Sequence, residues 1–213
     1  MLREFVDLKP GDWVVQNGAN SAAVIQIAAH RRLRTINFVR DRSSFSTLEK
    51  QLLDLGATHV LPLESLSDKS IRAKVKEITG DADIRLALNC VSGPTTSALV
   101  GLLGPEAHLV SYGAMSKQPL ALPTSAFIFK GITAHGFMQN KWYRENGREK
   151  REALMRELTT LMAAGKLKEP PHEIHTFIDS GLDTLTQKIR LIMEVMAKGK
   201  FGKKVLLRFG HSA

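Results

Sequence analysis

The residues of this chain best suited to chemistry stand where apolar runs end. Val14, Val15 and Gln16 give way to Asn17, Gly18, Asn20 and Ser21 before the apolar segment Ala22 to Ala29, and the run Ile36 to Val39 gives way to Arg40, Asp41, Arg42 and Ser43. The first group offers amides, a hydroxyl and the backbone N–H groups of a helix start, which together hold an anion such as a pyrophosphate. The same residue types also end strands and cap helices with nothing bound. The second group sets two guanidinium groups around one carboxylate. At the edge of a nucleotide-binding sheet an acid favours a free ribose 2′-hydroxyl and an arginine a 2′-phosphate. Arg40 and Arg42 therefore point to NADP(H) over NAD(H), against the alternative of a solvated charged turn.

Three later groups follow apolar runs in the same way: Asn89 to Gly93, Tyr112-Gly113-Ala114-Met115, and Phe137-Met138-Gln139. Small residues after a strand let a flat ring approach the backbone. Cys90 is the only cysteine, which excludes an internal disulfide and any multi-thiolate zinc site, and its apolar neighbours predict an inert core residue. The histidines have no metal-ligand spacing, and neither a nucleophile elbow nor a P-loop occurs. The residues alone thus nominate no catalytic group and no metal ligand.

The elements that must position these groups alternate. Strands are predicted over Trp13–Gln16, Thr35–Arg40, His59–Leu61, Leu86–Val91, His108–Tyr112 and Ile132–Phe137. Helices are predicted over Ala22–Arg31, Ser46–Leu55, Ser70–Ile78 and Thr95–Leu103, with Ser46 and Glu49 as a capping box and Gly56 as a stop. After a polar stretch, Gln139 to Lys150, comes an amphipathic helix with Leu154, Leu158, Leu161 and Met162 on one face. Pro170 and Pro171 then precede a strand at Ile174–Ile178, a helix at Leu182–Ala197 and a strand at Lys203–Phe209. Strand and helix in alternation make an α/β fold. The expected architecture is a doubly wound parallel sheet (Rossmann-like) over residues 1–170, a dinucleotide-binding domain, with a C-terminal strand-helix-strand appendage over 171–213.

Length and charge bound the possibilities. A chain of 213 residues carries one such domain, and no apolar run approaches a membrane span. MLREFVDLKPGDW enters folded-looking sequence within about ten residues and lacks the apolar core of a secretory signal or the Arg/Ser-rich tract of a transit peptide, so no targeting segment is expected in it. A net charge of +9 favours polyanionic partners, and seven basic side chains against one acid, Glu194, lie between Lys188 and Arg208. A solvated helix face accounts for the same run.

Taken in order, LKPGDWVVQNGANS (Leu8–Ser21), AVIQIAA (Ala23–Ala29), LRTINFVRDR (Leu33–Arg42), LALNCVSG (Leu86–Gly93), YGAMSKQP (Tyr112–Pro119) and FIFKGITAHGF (Phe127–Phe137) resemble one family. It is the mitochondrial trans-2-enoyl-thioester reductases of the medium-chain dehydrogenase/reductase superfamily, fungal type. The resemblance implies NADPH-dependent reduction of an enoyl-CoA or enoyl-ACP thioester in mitochondrial fatty-acid synthesis. It implies cofactor contacts at Asn20 and Ser21 (diphosphate), at Arg40, Asp41 and Arg42 (2′-phosphate), at Tyr112, Gly113, Ala114 and Met115, at Phe137, Met138 and Gln139, and at Lys204. In the family a further short run with a glycine follows Asn-Ser, whereas here Ser21 passes through Ala22 straight into AVIQIAA. The family's catalytic tyrosine belongs to a preceding domain, and neither Tyr112 nor Tyr143 matches it. The resemblance therefore covers the cofactor-binding portion, truncated and expected to be inactive alone.

Leu182, Leu185, Ile189, Ile192 and Val195 form an apolar helix face that calls for a homo-oligomer or a macromolecular partner. A reading from another class is a non-catalytic basic scaffold in a mitochondrial nucleoprotein assembly such as a ribosome. Lys141, Arg144, Arg148, Lys150 and Arg151 would then meet RNA phosphates. A third reading is a quinone-reductase-like relative sharing the zinc-free cofactor domain.

Overall fold

A computed structural model describes residues 1–18, 22–41, 45–170, 172–178, 182–197 and 204–210. They form two compact units, Met1–Lys168 and Glu169–Ala213. The first is built on a six-stranded, wholly parallel sheet in the order β3-β2-β1-β4-β5-β6. Its strands are β1 (Trp13–Asn17), β2 (Arg34–Val39), β3 (His59–Pro62), β4 (Ile84–Asn89), β5 (His108–Ser111) and β6 (Thr133–Gly136).

Near-continuous apolar runs make these strands because both faces of the sheet are covered. Alternation then sorts the side chains. Trp13, Val15, Ile36, Phe38, Ala87 and Leu109 pack on one face with Leu63 and Leu66 of a short 3-10 helix (Leu63–Ser67), with α3 (Ile71–Thr79) and with α4 (Pro94–Gly101). Val14, Leu86, Leu88 and Val110 face the other way, toward α1 (Ala22–His30) and the N-terminal residues Leu2, Val6 and Leu8. Ile25 of α1, Val39, Val60 and Leu52 of α2 (Phe45–Asp54) complete that layer. The doubly wound architecture is thus the observed one.

Several boundaries differ from expectation. α2 begins at Phe45, so Ser46 lies inside the helix and the Ser46–Glu49 capping box does not form. β4 starts two residues early and ends at Asn89, which puts Cys90 in the following turn rather than in a strand. Two helices arise where none was predicted, α5 (Thr124–Lys130) and α6 (Gln139–Glu145). In α7 (Arg148–Ala163) Leu161 is buried and Leu154 and Leu158 half-buried, but Met162 is exposed, so the apolar stripe is narrower than its sequence suggests.

The second unit is a strand-helix-strand crossover. β7 (His172–Ile178) and β8 (Lys204–Gly210) pair in parallel, residue for residue from His172 opposite Lys204, with α8 (Leu182–Ala197) between them in the chain. In α8, Leu185, Ile189 and Ile192 are half-buried, while Leu191, Met193 and Val195 are exposed. No helix among the described residues is long and apolar enough to cross a membrane.

Candidate functional site

The sheet order places the site. The chain winds outward from β1 to β3, then crosses back to β4 on the other side of β1, so β1 and β4 flank the point where the winding reverses. Ligands of open α/β sheets bind in the crevice outside the strand carboxyl ends at such a point. Here those ends are Asn17-Gly18, Arg40-Asp41, Asn89 to Gly93, Tyr112 to Met115, and Phe137 to Gln139.

Two buried carboxamides bind the central ends together. Asn17 Nδ2 donates to Asn89 Oδ1 at 2.9 Å, and Asn89 Nδ2 donates to Ser111 Oγ at 3.0 Å, linking β1, β4 and β5 side chain to side chain. Both asparagines are wholly buried, where an unpaired amide would be costly. Gly18 then turns the chain with φ +100°, and a Cβ there would collide with Cys90 Sγ. The close packing of β1's exit on β4's exit accordingly requires glycine.

Cys90 is half-buried at the centre of this arrangement. Its thiol donates to Asn17 O at 3.2 Å. Burial pushes the thiol above its ordinary range, with the hydrogen bond to Tyr112 and the charge of Arg40 pulling it partway back. Cys90 packs at the margin of the main core cluster rather than inside a strand, and burial disfavours its thiolate form. Tyr112, Cys90 and Asn17 therefore meet, with the Arg40 guanidinium close enough to be felt.

Arg40 and Asp41 follow β2 and are exposed; the Asp41 N–H donates to Glu64 Oε2 at 3.1 Å, so the 3-10 helix after β3 holds this turn. On the other flank, Tyr112 N donates to Asn89 O, Met115 N to Cys90 O and Phe137 N to Ser111 O, each at 2.9 Å. These bonds bring Tyr112, Gly113, Ala114 and Met115 beside the turn after β4, and Phe137 beside β5. Met115 and Met138 are 60% and 59% exposed, an apolar surface open to a ligand ring. Gln139 opens α6 and donates from Nε2 to Tyr143 Oη at 3.2 Å. Lys204 is exposed at the first residue of β8 in the second unit. Asn20, Ser21 and Arg42 lie outside the described residues.

The sequence pattern named Asn17 and the Asn89–Gly93 run as site-bearing but did not pair the two asparagines, and it gave no sign of Glu64. The available signal was an asparagine closing each of two apolar strands, "WVVQN" and "IRLALN". Among the described residues no cluster of three or more His, Cys, Asp or Glu could hold a metal ion.

A parallel sheet of this order, with its crevice at the reversal between β1 and β4, defines a dinucleotide-binding domain. The chain belongs to the zinc-binding dehydrogenase family, whose model matches residues 21–159. Within that family its resemblance is to the mitochondrial enoyl-thioester reductases. It is 40% identical over 207 residues to the mitochondrial enoyl-[acyl-carrier-protein] reductase of Yarrowia lipolytica, covering 95% of this chain and 54% of that protein. The human mitochondrial enoyl-[acyl-carrier-protein] reductase is 39% identical over 173 residues, 80% of this chain and 46% of that one. Among solved structures, the mitochondrial 2-enoyl thioester reductase Etr1p/Etr2p heterodimer from Candida tropicalis superposes with a TM-score of 0.82 at 30% identity, over 96% of this chain and 57% of that chain. A complex of Etr1p with NADP and crotonyl-CoA gives a TM-score of 0.82 at 29% identity, over 97% and 57%. The chain thus spans about half the length of the curated relatives it matches.

Proposed function

We propose that this chain is the NADPH-binding portion of a mitochondrial 2-enoyl-thioester reductase acting on enoyl-CoA or enoyl-ACP. The observation that carries the reading is the 40% identity to such a reductase across nearly the whole chain, on a sheet whose crevice suits a phosphorylated dinucleotide. The donor set fits that cofactor. The first turn of α1 holds no acid to repel a diphosphate, and Arg40 stands at the β2 end where a 2′-phosphate is distinguished from a hydroxyl. Gly113 lies against Cys90, where a Cβ would stand 3.2 Å from Cys90 O, so the loop after β5 packs closely on the turn after β4.

NADPH, when bound, supplies the hydride for reduction of the enoyl double bond. This chain's residues bind and orient it: Arg40 and Asp41 at the adenosine end, Tyr112 to Met115 and Phe137 to Gln139 at the other, with Asn20, Ser21, Arg42 and Lys204 assigned by the family pattern. The family resemblance assigns the substrate's proton donor to a tyrosine that neither Tyr112 nor Tyr143 matches, so this chain's part in the proposal is to hold the cofactor. A second subunit belongs to the same proposal, since Leu191 and Met193 of α8 expose apolar side chains that a partner would cover.

No observation favours the RNA scaffold. Lys141 pairs with Glu145 at 3.7 Å, Arg148 with Glu152 at 2.5 Å and Lys150 with Glu4 at 3.7 Å, so much of that basic stretch is neutralised within the chain.

Fluorescence titration at low ionic strength tests the assignment. NADPH is expected to bind more tightly than NADH, and Arg40→Gln to lower that preference about tenfold, the effect of losing one charge-assisted contact. Equal affinity for the two coenzymes in the unaltered chain defeats it.

A further inference from the structure

The turn after β4 is wound around two side chains that no cofactor contact requires. Asn17 Oδ1 accepts hydrogen bonds from the backbone N–H groups of Cys90 at 2.8 Å and Val91 at 3.3 Å. Asn89 Oδ1, which already accepts from Asn17, also takes the Ser92 N–H at 3.0 Å and the Thr96 hydroxyl at 3.4 Å. Three consecutive backbone donors thus end on two carboxamide oxygens. Only an amide serves here, because each side chain must accept on one atom and donate on the other.

The carbonyls of the same turn face the opposite way. Cys90 O and Val91 O receive the N–H groups of Met115 and Ser116, both at 2.9 Å, and Ser92 Oγ donates to Gly113 O at 3.3 Å. Asn17 is therefore joined by hydrogen bonds, directly and through Asn89, to this turn, and the turn is joined in the same way to the loop Tyr112 to Met115. The turn is also strained, since Ser92 is buried with φ +65°, a conformation a non-glycine residue adopts only when its surroundings impose it.

We infer that Asn17 and Asn89 are positioning residues, which fix the Tyr112–Met115 loop relative to the Gly18 turn so that the crevice grips both halves of a dinucleotide at once. The inference rests on the proposed NADPH site. Preorganisation of this kind acts on a ligand that spans the two turns and leaves one confined to the adenosine flank unaffected. It also explains why two wholly buried polar groups occupy strand ends that are otherwise apolar.

The test compares NADPH with 2′,5′-ADP, which carries only the adenosine half, in calorimetric titrations of the full chain. Three variants are used. Asn89→Ala removes the hub, and Asn17→Asp keeps the acceptor for Cys90 and Val91 while losing the donor to Asn89. Ser92→Gly is the variant certain to suit its backbone, because glycine accepts φ +65°, yet it loses the bond to Gly113 O. The expected result is a fall in NADPH affinity of about tenfold or more, with 2′,5′-ADP affinity within about twofold of the unaltered chain. Equal losses for both ligands, or no loss for NADPH in folded Ser92→Gly and Asn17→Asp, overturn the inference and leave the cofactor reading intact. An unaltered chain that binds neither ligand overturns the cofactor reading, and the inference with it.

Discussion

Gln26 and Lys168 are joined by two opposed hydrogen bonds: the Lys168 N–H donates to Gln26 Oε1 at 2.7 Å, and Gln26 Nε2 donates to Lys168 O at 3.2 Å. Gln26 is buried in α1, and Lys168 is the last residue of the first unit. A side-chain amide here does what a neighbouring strand would do, satisfying both backbone groups of one residue. The helix that follows the Gly18 turn thus also holds the point where the chain leaves the first unit.

Gln26→Leu fits the apolar surroundings of α1 but strips both partners from Lys168. Lys168 itself is exposed, so water replaces the lost partners, and the expected cost in a urea melt is about 0.5–1.5 kcal/mol per hydrogen bond. Hydrogen exchange at the Lys168 amide should accelerate by more than the global loss of stability explains. Protection at Lys168 that simply follows global stability would show that the clasp is not what orders the exit.

Gly18 and Cys90 make a second pair open to measurement. Gly18→Ala forces a Cβ against Cys90 Sγ and imposes φ +100° on an L residue. Together these should cost about 2–5 kcal/mol, from backbone strain and overpacking. Cys90→Ala removes the sulfur, so Gly18→Ala made in that background should cost only the backbone part, about 1–2 kcal/mol. A double-mutant cycle on thermal unfolding reads the difference, and strict additivity of the two substitutions would exclude the contact.

The parts of this fold that sequence reveals are those written as apolar runs. β1, β2 and β5 were placed to within a residue or two because strands buried on both faces need Val14, Ile36 or Leu109 whatever else the chain does. α5 escaped notice because Phe127, Ile128 and Phe129 are consecutive rather than helically spaced, and all three are exposed in the structure. α6 was hidden by its polarity: among its residues none is buried. The Asn17–Asn89 bond was beyond reach for a different reason. It depends on Asn17 lying opposite Asn89 across parallel strands 72 positions apart, and register of that kind is a property of the assembled sheet. The further run that the family resemblance leads one to expect after Ser21 has no counterpart in apolar periodicity, and that turn falls outside the described residues, with α1 beginning at Ala22.

His108 and His135 supply the pH dependence. His108 Nδ1 lies 2.9 Å from His135 Nε2, and the two rings stack at 5.2 Å between β5 and the edge strand β6. One ring nitrogen donates and the other accepts, an arrangement that a second proton abolishes. Burial holds His108 below the ordinary histidine value; His135 and Arg85 of β4 add to this, Glu106 before β5 opposes it, and the Phe5 ring packs on His135. Unfolded His108 takes its proton near pH 6.5, the folded residue only at lower pH. Between those values the unfolded chain binds more protons, so the contribution is full above about pH 6.5 and is lost as pH falls below it. His108→Gln should therefore narrow the drop in melting temperature between about pH 7 and about pH 5. In the unaltered protein the His108 imidazole resonances should titrate below those of an unfolded histidine. A melting temperature that falls by the same amount in both proteins would show that β5 and β6 are held together without regard to this pair.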